Sequence, residues 1–405
     1  MIDTTRTTAA DGPLTGTLVV DLSRALAGPH ATMMFGDLGA RVIKVEAPGA
    51  GDDTRGWGPP FVQPGDADGA DRESTYFLSA NRNKESITLN LKADDDLHVL
   101  LDLVRRADVL VENFRTGVLD RLGLGFDTLH EINPRLVVLS ITGFGHDGPE
   151  GGRAGYDQIA QGEAGLMSLT GSNPDDPQKV GTPIADLLAG MYGAYGVLAA
   201  LRERDRTGSG TVVRTSLLAS VIGVHGFQST RWTIAGEVGR AQGNHHASIA
   251  PYGLFHCGDG SVQIAVGSEG LWRRFCAGFG LDPGTPGLQT NGQRVAHRDR
   301  LIELVEGIFA GWKAADLLVR LDEIGVPAGQ VRTIDEVYTW EQTRSQGLLI
   351  DVEHATLGRL QLPGPPLRFF DTGGQEVTRT AHTPPPTLNG DGATVRAWLL
   401  DHTTR

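Results

Sequence analysis

The first half of the chain alternates short apolar runs with helical segments, and this alternation constrains its fold more than any other feature. The runs predict strands at residues 18–22, 41–46, 87–91, 109–111 and 136–141, with helices at 30–38 and 94–106 among them. Parallel strands need a crossover connection, so this order is typical of a parallel sheet in an α/β domain. Open sheets of this kind bind ligands at the carboxyl ends of their strands. The sequence therefore predicts an α/β fold with a ligand crevice at one sheet edge.

The loop after the first predicted strand, residues 23–29, lies at that crevice. It lacks the Gly-x-Gly-x-x-Gly pattern of dinucleotide-binding proteins, so no nicotinamide cofactor is expected. Basic residues near the predicted strand ends could hold phosphates or could equally belong to a solvated surface; they are Arg24, Arg82, Lys92 and Arg121.

Composition limits the partners of the chain. Its 405 residues carry a formal net charge of −13, whereas nucleic-acid binding needs clustered Lys and Arg, so no nucleic-acid partner is expected. The cysteines, Cys257 and Cys276, form no metal-binding motif, and we expect no metal. The chain begins with polar residues, and we find no apolar run of about 18 residues that would span a membrane. We therefore expect a cytoplasmic protein with no membrane partner.

Composition changes near residues 225–250, where Gly, Gln, His and Asn become frequent. Beyond this point, residues 254–266 predict a hairpin around Asp259-Gly260, and three helices follow at 269–278, 298–312 and 316–324. The rest of the chain has a predicted helix at about residues 334–346 and is otherwise rich in loops and proline, which is typical of a segment that wraps over another surface. We predict a large α/β domain at residues 1–225, a small α+β domain at 226–330 and a further segment at 331–405.

Asp186 is the single carboxylate in the apolar stretch 181–190, and the nearest cations in sequence are Lys179 and Arg202. The small residues that follow it predict a closely packed helix. Asp186 could be the N-cap of this helix and accept N–H groups of its first turn. It could instead be a desolvated carboxylate at a helix start, available as a nucleophile. Residue type alone favours the cap.

Several blocks of the chain resemble the class III CoA-transferases, a family that includes formyl-CoA transferase, the carnitine CoA-transferases and α-methylacyl-CoA racemase. The blocks are residues 24–29 (RALAGP), 37–46 (DLGARVIKVE), 81–84 (NRNK), 108–115 (DVLVENFR), 155–157 (GYD) and 186–190 (DLLAG). The resemblance covers most of the chain, and several blocks in the same order are more specific than any one motif.

The resemblance implies a Rossmann-like large domain built from the N-terminal half and the chain end, a small domain between them, and an interlocked homodimer. It implies coenzyme A and acyl-CoA as substrates, with a small carboxylic acid as the acceptor. It also makes Asp186 the nucleophile. This carboxylate would attack the thioester, form an anhydride and then an aspartyl-CoA thioester, and pass CoA to the second acid. Desolvation strengthens such a nucleophile.

The resemblance also assigns coenzyme A contacts. Three lie along the loop after the first strand, namely Ala25, Leu26 and Ala27. The others are Leu89, Lys92, Asn113, Phe114 and Arg121. Among them, Lys92 and Arg121 would supply charge for the phosphates. Without the resemblance, Phe114 is more typical of a core residue and Asn113 of a turn.

Two features depart from the family. Several members carry an Arg after the second strand where this chain has Ala47, so Lys44 or Arg82 is expected to meet the phosphate instead, or coenzyme A binds more weakly. The tetraglycine loop of formyl-CoA transferase is also missing, and residues 243–246 (GNHH) fall in that part of the chain. This second departure argues against oxalate and formate as substrates.

Tyr156 distinguishes between two activities that are found in this family, racemisation and CoA transfer. The racemase branch uses a His where this chain has Tyr156, and a phenol is a poor base near neutral pH. We therefore predict CoA transfer, with Tyr156 as a candidate orienting group and Asp157 as a turn cap or a partner of the site. The alternatives are a 2-methylacyl-CoA racemase, with His245 or His246 as its base, and a non-catalytic CoA-binding protein.

Overall fold

The computed structural model describes residues 11–63 and 72–401. The described chain divides into two compact units. The first comprises residues 11–63, 72–166, 180–230 and 341–401, and the second comprises residues 167–179 and 231–340. The chain therefore leaves the first unit twice and returns to it each time.

Helices and strands are numbered in chain order. The strands are β1 Leu18–Asp21, β2 Arg41–Glu46, β3 Phe61–Val62, β4 Glu73–Ser74, β5 Lys84–Thr88, β6 Val109–Glu112, β7 Val137–Thr142, β8 Thr211–Ser216, β9 Tyr252–Cys257, β10 Gly260–Ala265, β11 Ala328–Gly329, β12 Leu349–His354 and β13 Gly358–Pro363. The helices are α1 Ala27–Asp37, α2 Thr75–Ser79, α3 Asp94–Arg106, α4 Val118–Arg121, α5 Phe126–Ile132, α6 Asp157–Glu163, α7 Ile184–Thr207, α8 Leu217–Gly223, α9 Phe227–Thr233, α10 Glu269–Phe279, α11 Asn291–Ala296, α12 Arg298–Phe309, α13 Ala314–Glu323, α14 Ile334–Thr339, α15 Glu341–Ser345 and α16 Gly392–Leu400.

A six-stranded parallel sheet forms the centre of the first unit, in the order β5-β2-β1-β6-β7-β8. This is the doubly wound order of Rossmann-like proteins, in which the chain winds outward from the middle of the sheet in both directions. The predicted α/β fold with a parallel sheet is confirmed. The winding reverses between β1 and β6, so the loops after these two strands lie at the point where such sheets bind ligands.

Alternate residues of the central strands cover the two faces of the sheet. On one face, Val19 and Leu139 pack with residues of α1, α6, α7 and α8. On the other face, Val20 and Val138 pack with residues of α3, α4, α5 and α16. Strands that are buried on both faces have near-continuous apolar sequences, which is why these runs could be recognised in the sequence.

Helix α7 spans 24 residues and is the longest helix in the described part of the chain. Its small residues permit close packing, because a Cβ at Gly190 would lie 2.6 Å from the carbonyl oxygen of Ala27 in α1. By length and composition alone, α7 could also cross a membrane. Its buried residues belong to the core between the sheet and α1, however, and this packing accounts for the small apolar residues on that side of the helix.

The second unit is built around an antiparallel hairpin and a cluster of aromatic side chains. β9 and β10 pair with Cys257 opposite Gly260, which confirms the hairpin predicted around Asp259. The three predicted helices are confirmed as α10, α12 and α13. They contribute buried side chains to the core of this unit, among them Trp272, Phe275 and Phe309.

Two predicted elements differ from the structure. The strand predicted at residues 87–91 is observed as β5, Lys84–Thr88, three residues earlier. Lys84 belongs to the strand although it is charged, because its side chain is buried in an ion pair with Asp21. The helix that the sequence indicated over residues 334–346 is broken at Trp340, whose extended backbone separates α14 from α15.

Gly190→Ala tests the close packing of α7 on α1. The atom nearest to the added methyl group would be the backbone oxygen of Ala27, which cannot move aside as a flexible side chain can, and overpacking of this kind costs about 1–3 kcal/mol. We therefore expect a lower melting temperature in a thermal-shift measurement.

Gly307→Ala in α12 is the matched control for this substitution. A Cβ at Gly307 has open space, and alanine is favoured over glycine in a helix by about 1 kcal/mol. This variant should melt no lower than the wild type. If both variants shift the melting temperature equally, the packing described here is contradicted.

Candidate active site

Asp186 is the third residue of α7, one turn before Gly190. The N-cap of the helix is Pro183, which makes no side-chain hydrogen bond to the first turn. The interpretation of Asp186 as an N-cap is therefore wrong, because Asp186 lies within the first turn of the helix. A carboxylate at this position lies at the positive end of the helix macrodipole.

The capping of α7 comes from Asp157, the first residue of α6. Its Oδ1 accepts the backbone N–H of Ala185 at 2.8 Å. Its Oδ2 accepts a hydrogen bond from the side chain of Gln161, also at 2.8 Å. Asp157 thus joins the start of α6 to the start of α7. Of the two roles expected for this residue, the cap is observed, and the helix it caps is the one that carries Asp186.

Two glycines set the position of the segment that carries Asp157. A Cβ on Gly143 would lie 2.6 Å from the nitrogen of Gly155. A Cβ on Gly155 would lie 2.7 Å from the Cα of Gly143. Because Gly143 directly follows β7, this close backbone contact brings the segment before α6 against the carboxyl end of that strand.

The carboxylate of Asp186 is half-buried. Burial, with a smaller contribution from the charge of Asp157, raises the pKa of Asp186 to about 7. Among the residues that the structure describes, none donates a hydrogen bond or presents a cation to this side chain. The charged form is therefore poorly solvated, which makes it more reactive toward an electrophile.

Tyr76 in α2 lies in the electrostatic field of Asp186, although the sequence did not predict it as a site residue. Burial, followed by the charge of Asp186, raises the pKa of Tyr76 to about 12. The phenol therefore stays protonated at neutral pH and can donate a hydrogen bond. Its ring packs edge-on against Trp57, with 5.1 Å between the ring centroids. The helix of Tyr76 is too short to show a periodicity, so no sequence pattern singled it out.

Tyr156 directly precedes Asp157, and its side chain is 66% exposed. It is the N-cap residue of α6 but makes no side-chain hydrogen bond to that helix. The ring is therefore accessible to a ligand, and its role as an orienting group stays a prediction.

His245 and His246 lie in the second unit. The ring of His245 packs against Phe255, with 5.2 Å between centroids, and burial lowers the pKa of His245 below its ordinary value. Arg298 donates to the carbonyl oxygen of His246 at 2.7 Å. These contacts hold both histidines within their own unit.

The loop after β1 contains the predicted coenzyme A contacts Ala25, Leu26 and Ala27. Ala25 has φ 65°, a left-handed conformation that is uncommon for a residue with a Cβ. Leu26 and Ala27 are buried, and Ala27 begins α1. Because the carbonyl oxygen of Ala27 contacts Gly190, the end of this loop packs against the helix of Asp186.

Asn113, directly after β6, links the two loops at the switch point of the sheet. Its Oδ1 accepts the N–H of Arg24 at 2.8 Å, and its Nδ2 donates to the carbonyl oxygen of Arg24 at 2.7 Å. The guanidinium of Arg24 lies 5.4 Å from the ring centroid of Phe114. The structure therefore brings Asn113 and Phe114 together with the loop after β1.

Leu89, Lys92 and Arg121 belong to the sheet face that is covered by α3 and α4. Leu89 is buried in the apolar cluster of that face. Lys92 precedes α3 and Arg121 ends α4, and both side chains are exposed. Within residues 11–63 and 72–401, neither cation forms an ion pair, so both charges are available to an anion.

The prediction that Lys44 or Arg82 meets a phosphate is wrong. The side chain of Lys44 has no exposed surface, and its Nζ lies 2.8 Å from Oδ2 of Asp52. Arg82 donates two hydrogen bonds to the carboxylate of Asp37, at 2.8 and 2.6 Å. Both cations are neutralised inside the fold, and neither is available to a ligand.

A cavity of about 410 Å³ lies at the carboxyl ends of β6, β7 and β8, on the face opposite α7. Phe114, Arg115 and Arg214 are among its lining residues. Ser140 in its wall hydrogen-bonds both Glu112 and His146. This cavity was not predicted, because its lining comes from several elements that are distant along the chain.

Comparisons with known proteins identify the family. The profile of CoA-transferase family III matches residues 14–392. Succinyl-CoA:glutarate CoA-transferase from Mus musculus is 38% identical over 382 residues, which cover 93% of this chain and 84% of that protein. Succinate–glutarate CoA-transferase from Agrobacterium fabrum (strain C58) is 40% identical over 343 residues, covering 84% and 85%. The crystal structure of a CAIB/BAIF family protein from Brucella suis superposes with a TM-score of 0.83 at 38% identity, covering 96% of this chain and 100% of that one.

The chain therefore belongs to CoA-transferase family III, and the resemblance drawn from its sequence blocks is confirmed. It is a CoA-transferase, an enzyme that moves CoA between carboxylic acids. The two alternatives, a racemase and a non-catalytic CoA-binding protein, are set aside in favour of transfer.

Asp186→Asn tests the electrostatics of the site through stability. The folded-state pKa of Asp186 is raised above its unfolded value, so the folded state holds a proton that the unfolded state loses first. The stability linked to this proton is present at low pH and is lost as the pH rises toward 7. We expect the variant to melt higher than the wild type at about pH 8.5, with a smaller difference at about pH 5.5.

Asp205→Asn is the matched control, because Asp205 is an exposed carboxylate in the same helix. Its effect on the melting temperature should not grow between the two pH values. A pH-independent effect of Asp186→Asn would show that the carboxylate of Asp186 is well solvated.

Proposed function

We propose that Asp186 carries CoA between two acids through a covalent intermediate. A carboxylate oxygen of Asp186 attacks the thioester carbonyl, the carbon–sulfur bond breaks, and CoA leaves as the thiolate. The product is a mixed anhydride. The thiolate then attacks Cγ of Asp186, which releases the first acid and leaves an aspartyl-CoA thioester. The second acid attacks this thioester, and the same two steps run in reverse.

One observation carries this proposal, namely the unpaired carboxylate in the first turn of an apolar helix. A carboxylate in water is a weak nucleophile because its solvent shell must be removed before it attacks. At Asp186, part of this desolvation is built into the fold. With a pKa of about 7, a large fraction of the side chain is ionised at neutral pH and able to attack.

Two neighbouring groups support the same chemistry. Asp157 fixes the first turn of α7 and so fixes the direction of the nucleophile. The protonated phenol of Tyr76 supplies a donor in the field of Asp186. A donor placed where negative charge develops lowers the barrier of acyl transfer, and Tyr76 is the proposed donor.

We propose a succinyl-CoA donor and a dicarboxylic acceptor such as glutarate. The mouse and Agrobacterium relatives are named for these acids, and each match covers more than four fifths of this chain. The exposed cations Lys92 and Arg121 are the proposed partners of the phosphates of CoA, since Lys44 and Arg82 are neutralised inside the fold.

The exposed face of α7 supports a homodimer, which is also part of the proposal. It carries Met191, Tyr192, Tyr195 and Leu198, whose spacing places them along one side of the helix. Contiguous apolar surface of this kind is typical of an interaction site. A second copy of the chain is the proposed partner. A cytoplasmic location is proposed on composition alone.

Asp186→Asn should abolish transfer, because an amide cannot form the anhydride. We expect kcat to fall by on the order of 10³-fold or more in an assay that follows glutaryl-CoA formed from succinyl-CoA and glutarate. Asp205→Asn should leave kcat unchanged. If Asp186→Asn retains kcat within about tenfold of the wild type, Asp186 is not the nucleophile.

Asp157→Asn should shift the pH dependence of the reaction. The amide keeps an oxygen that can accept the N–H of Ala185 but removes the charge beside Asp186. The acid limb of kcat/KM should therefore move to lower pH, while burial, the larger cause, keeps it above the ordinary range of a carboxyl group. An acid limb that stays in place would show that Asp157 does not act on the pKa of the catalytic group.

A further inference from the structure

Two lysines with fully buried side chains lie beneath the loop that follows β1. They are Lys44 in β2 and Lys84 in β5. Val42 of β2 points to the face of the sheet that is covered by α1. Lys84 lies beside Val42 in the register of the sheet, and Lys44 follows Val42 by two residues in the same strand, so both lysine side chains point to that face. Burying an ammonium group is costly unless it is paired and hydrogen-bonded. The partners of both lysines are carboxylates and backbone atoms of the loop.

Lys84 forms hydrogen bonds to both ends of the loop. Its Nζ donates to Asp21 Oδ2 at 3.0 Å and to the carbonyl oxygen of Pro29 at 2.9 Å. A third hydrogen bond runs to Oδ1 of Asn81 at 2.9 Å, so all three donors are satisfied. Asp21 ends β1 and also accepts the N–H of Ser23 at 3.0 Å. Lys84 therefore fixes where the loop leaves β1 and where it enters α1.

Lys44 holds the middle of the same loop. Its Nζ donates to the carbonyl oxygen of Ser23 at 2.9 Å and pairs with Asp52 at 2.8 Å. Asp52 in turn accepts the N–H of Ala25 at 3.2 Å. Ala25 is the residue with the left-handed backbone, and such a conformation persists only where its surroundings enforce it. The Lys44–Asp52 pair is part of that enforcement.

The charges beneath the loop balance one another. Two cations face two carboxylates, namely Lys44 and Lys84 with Asp21 and Asp52. Buried ion pairs often add little stability compared with well-packed apolar side chains. Apolar side chains, however, could not bind the carbonyl groups of Ser23 and Pro29 or the N–H of Ala25. The contribution of this network is therefore the shape of the loop.

We propose that Lys44 and Lys84 are positioning residues for coenzyme A, which hold residues 22–26 in the strained conformation that presents their backbone to the cofactor. The inference rests on the proposed CoA-transfer function and on the coenzyme A contacts that the family resemblance implies for Ala25, Leu26 and Ala27. Both lysines act through other atoms of the loop, because their own side chains are buried. Loss of either lysine therefore weakens acyl-CoA binding more than it affects the acceptor acid.

Lys84→Met tests the proposal, because methionine keeps much of the side-chain length but removes the charge and the donors. Steady-state kinetics with succinyl-CoA and glutarate give a separate KM for each substrate. We expect the KM for succinyl-CoA to rise about tenfold or more, as for the loss of a charge-assisted interaction, and the KM for glutarate to change less than about twofold. A wild-type KM for succinyl-CoA in the folded variant overturns the proposal.

Arg204→Met is the matched control. Arg204 pairs with Asp108 at 2.9 Å, and Asp108 accepts the N–H of Leu18 at 2.8 Å. This ion pair lies at the amino-terminal edge of β1 and β6, away from the loop. The control should lose stability and keep its KM for succinyl-CoA. If both variants raise this KM equally, the effect is a general one of broken ion pairs, and the proposal fails.

Asp52→Asn carries the same test if Lys84→Met does not fold. It keeps the shape of the side chain but weakens the hold on Lys44 and Ala25. A higher KM for succinyl-CoA supports the proposal, and an unchanged KM overturns it.

The covalent mechanism and the positioning role of the lysines are tested by different variants. Activity retained in Asp186→Asn defeats the covalent mechanism, whereas an unchanged KM in the lysine and Asp52 variants defeats the positioning role alone.

Discussion

The carboxylate of Asp186 is held in the first turn of α7 without a counter-ion among the described residues, and the chemistry proposed for this enzyme depends on that arrangement. Burial alone would favour its neutral form, and the nearby charge of Asp157 adds to this effect. The fold tolerates the cost because α7 is anchored by other interactions. Gly190 packs against the backbone of α1, and Asp157 caps the helix from α6. A residue that destabilises the fold is thus held in place by contacts at both sides of the first turns of α7.

The first unit contains cations that could have neutralised such a carboxylate, but they are used elsewhere. Lys44 and Lys84 lie in a balanced cluster beneath the loop after β1, and Arg82 is paired with Asp37. Lys92 and Arg121 are exposed on the other face of the sheet. Charge is therefore paired where it shapes the backbone, and exposed where an anionic cofactor is proposed to bind. At the proposed nucleophile, the negative charge is left uncompensated by any described residue.

The parallel sheet and its alternation with helices could be predicted because strands buried on both faces leave continuous apolar runs in the sequence. Asp186 was recognisable as a lone carboxylate in such a run. Its exact place in the helix was not, because the first turn is set by Pro183 and by Asp157, which belongs to another helix. Tyr76 could not be found either, since its relation to Asp186 exists only in the folded chain.

The lysine cluster did leave a trace in the sequence. Lys44 and Glu46 alternate with Ile43 and Val45 in a strand whose apolar residues point to a buried position. Charges at such positions can indicate buried ion pairs, but this signal was not used when Lys44 was predicted to meet a phosphate, and the burial of Lys44 was found only in the structure. The contacts of coenzyme A, in contrast, came from family resemblance, because exposed cations such as Lys92 look the same in sequence whether or not they bind a ligand.

Mass spectrometry of the peptide that contains Asp186 tests directly whether this carboxylate carries CoA. The enzyme is incubated with succinyl-CoA alone, quenched in acid and digested. We predict that this peptide gains the mass of CoA less one water, as expected for an aspartyl-CoA thioester, and that the gain disappears in Asp186→Asn. An active enzyme that shows no adduct on this peptide, or an adduct on another residue, would contradict the covalent mechanism at Asp186.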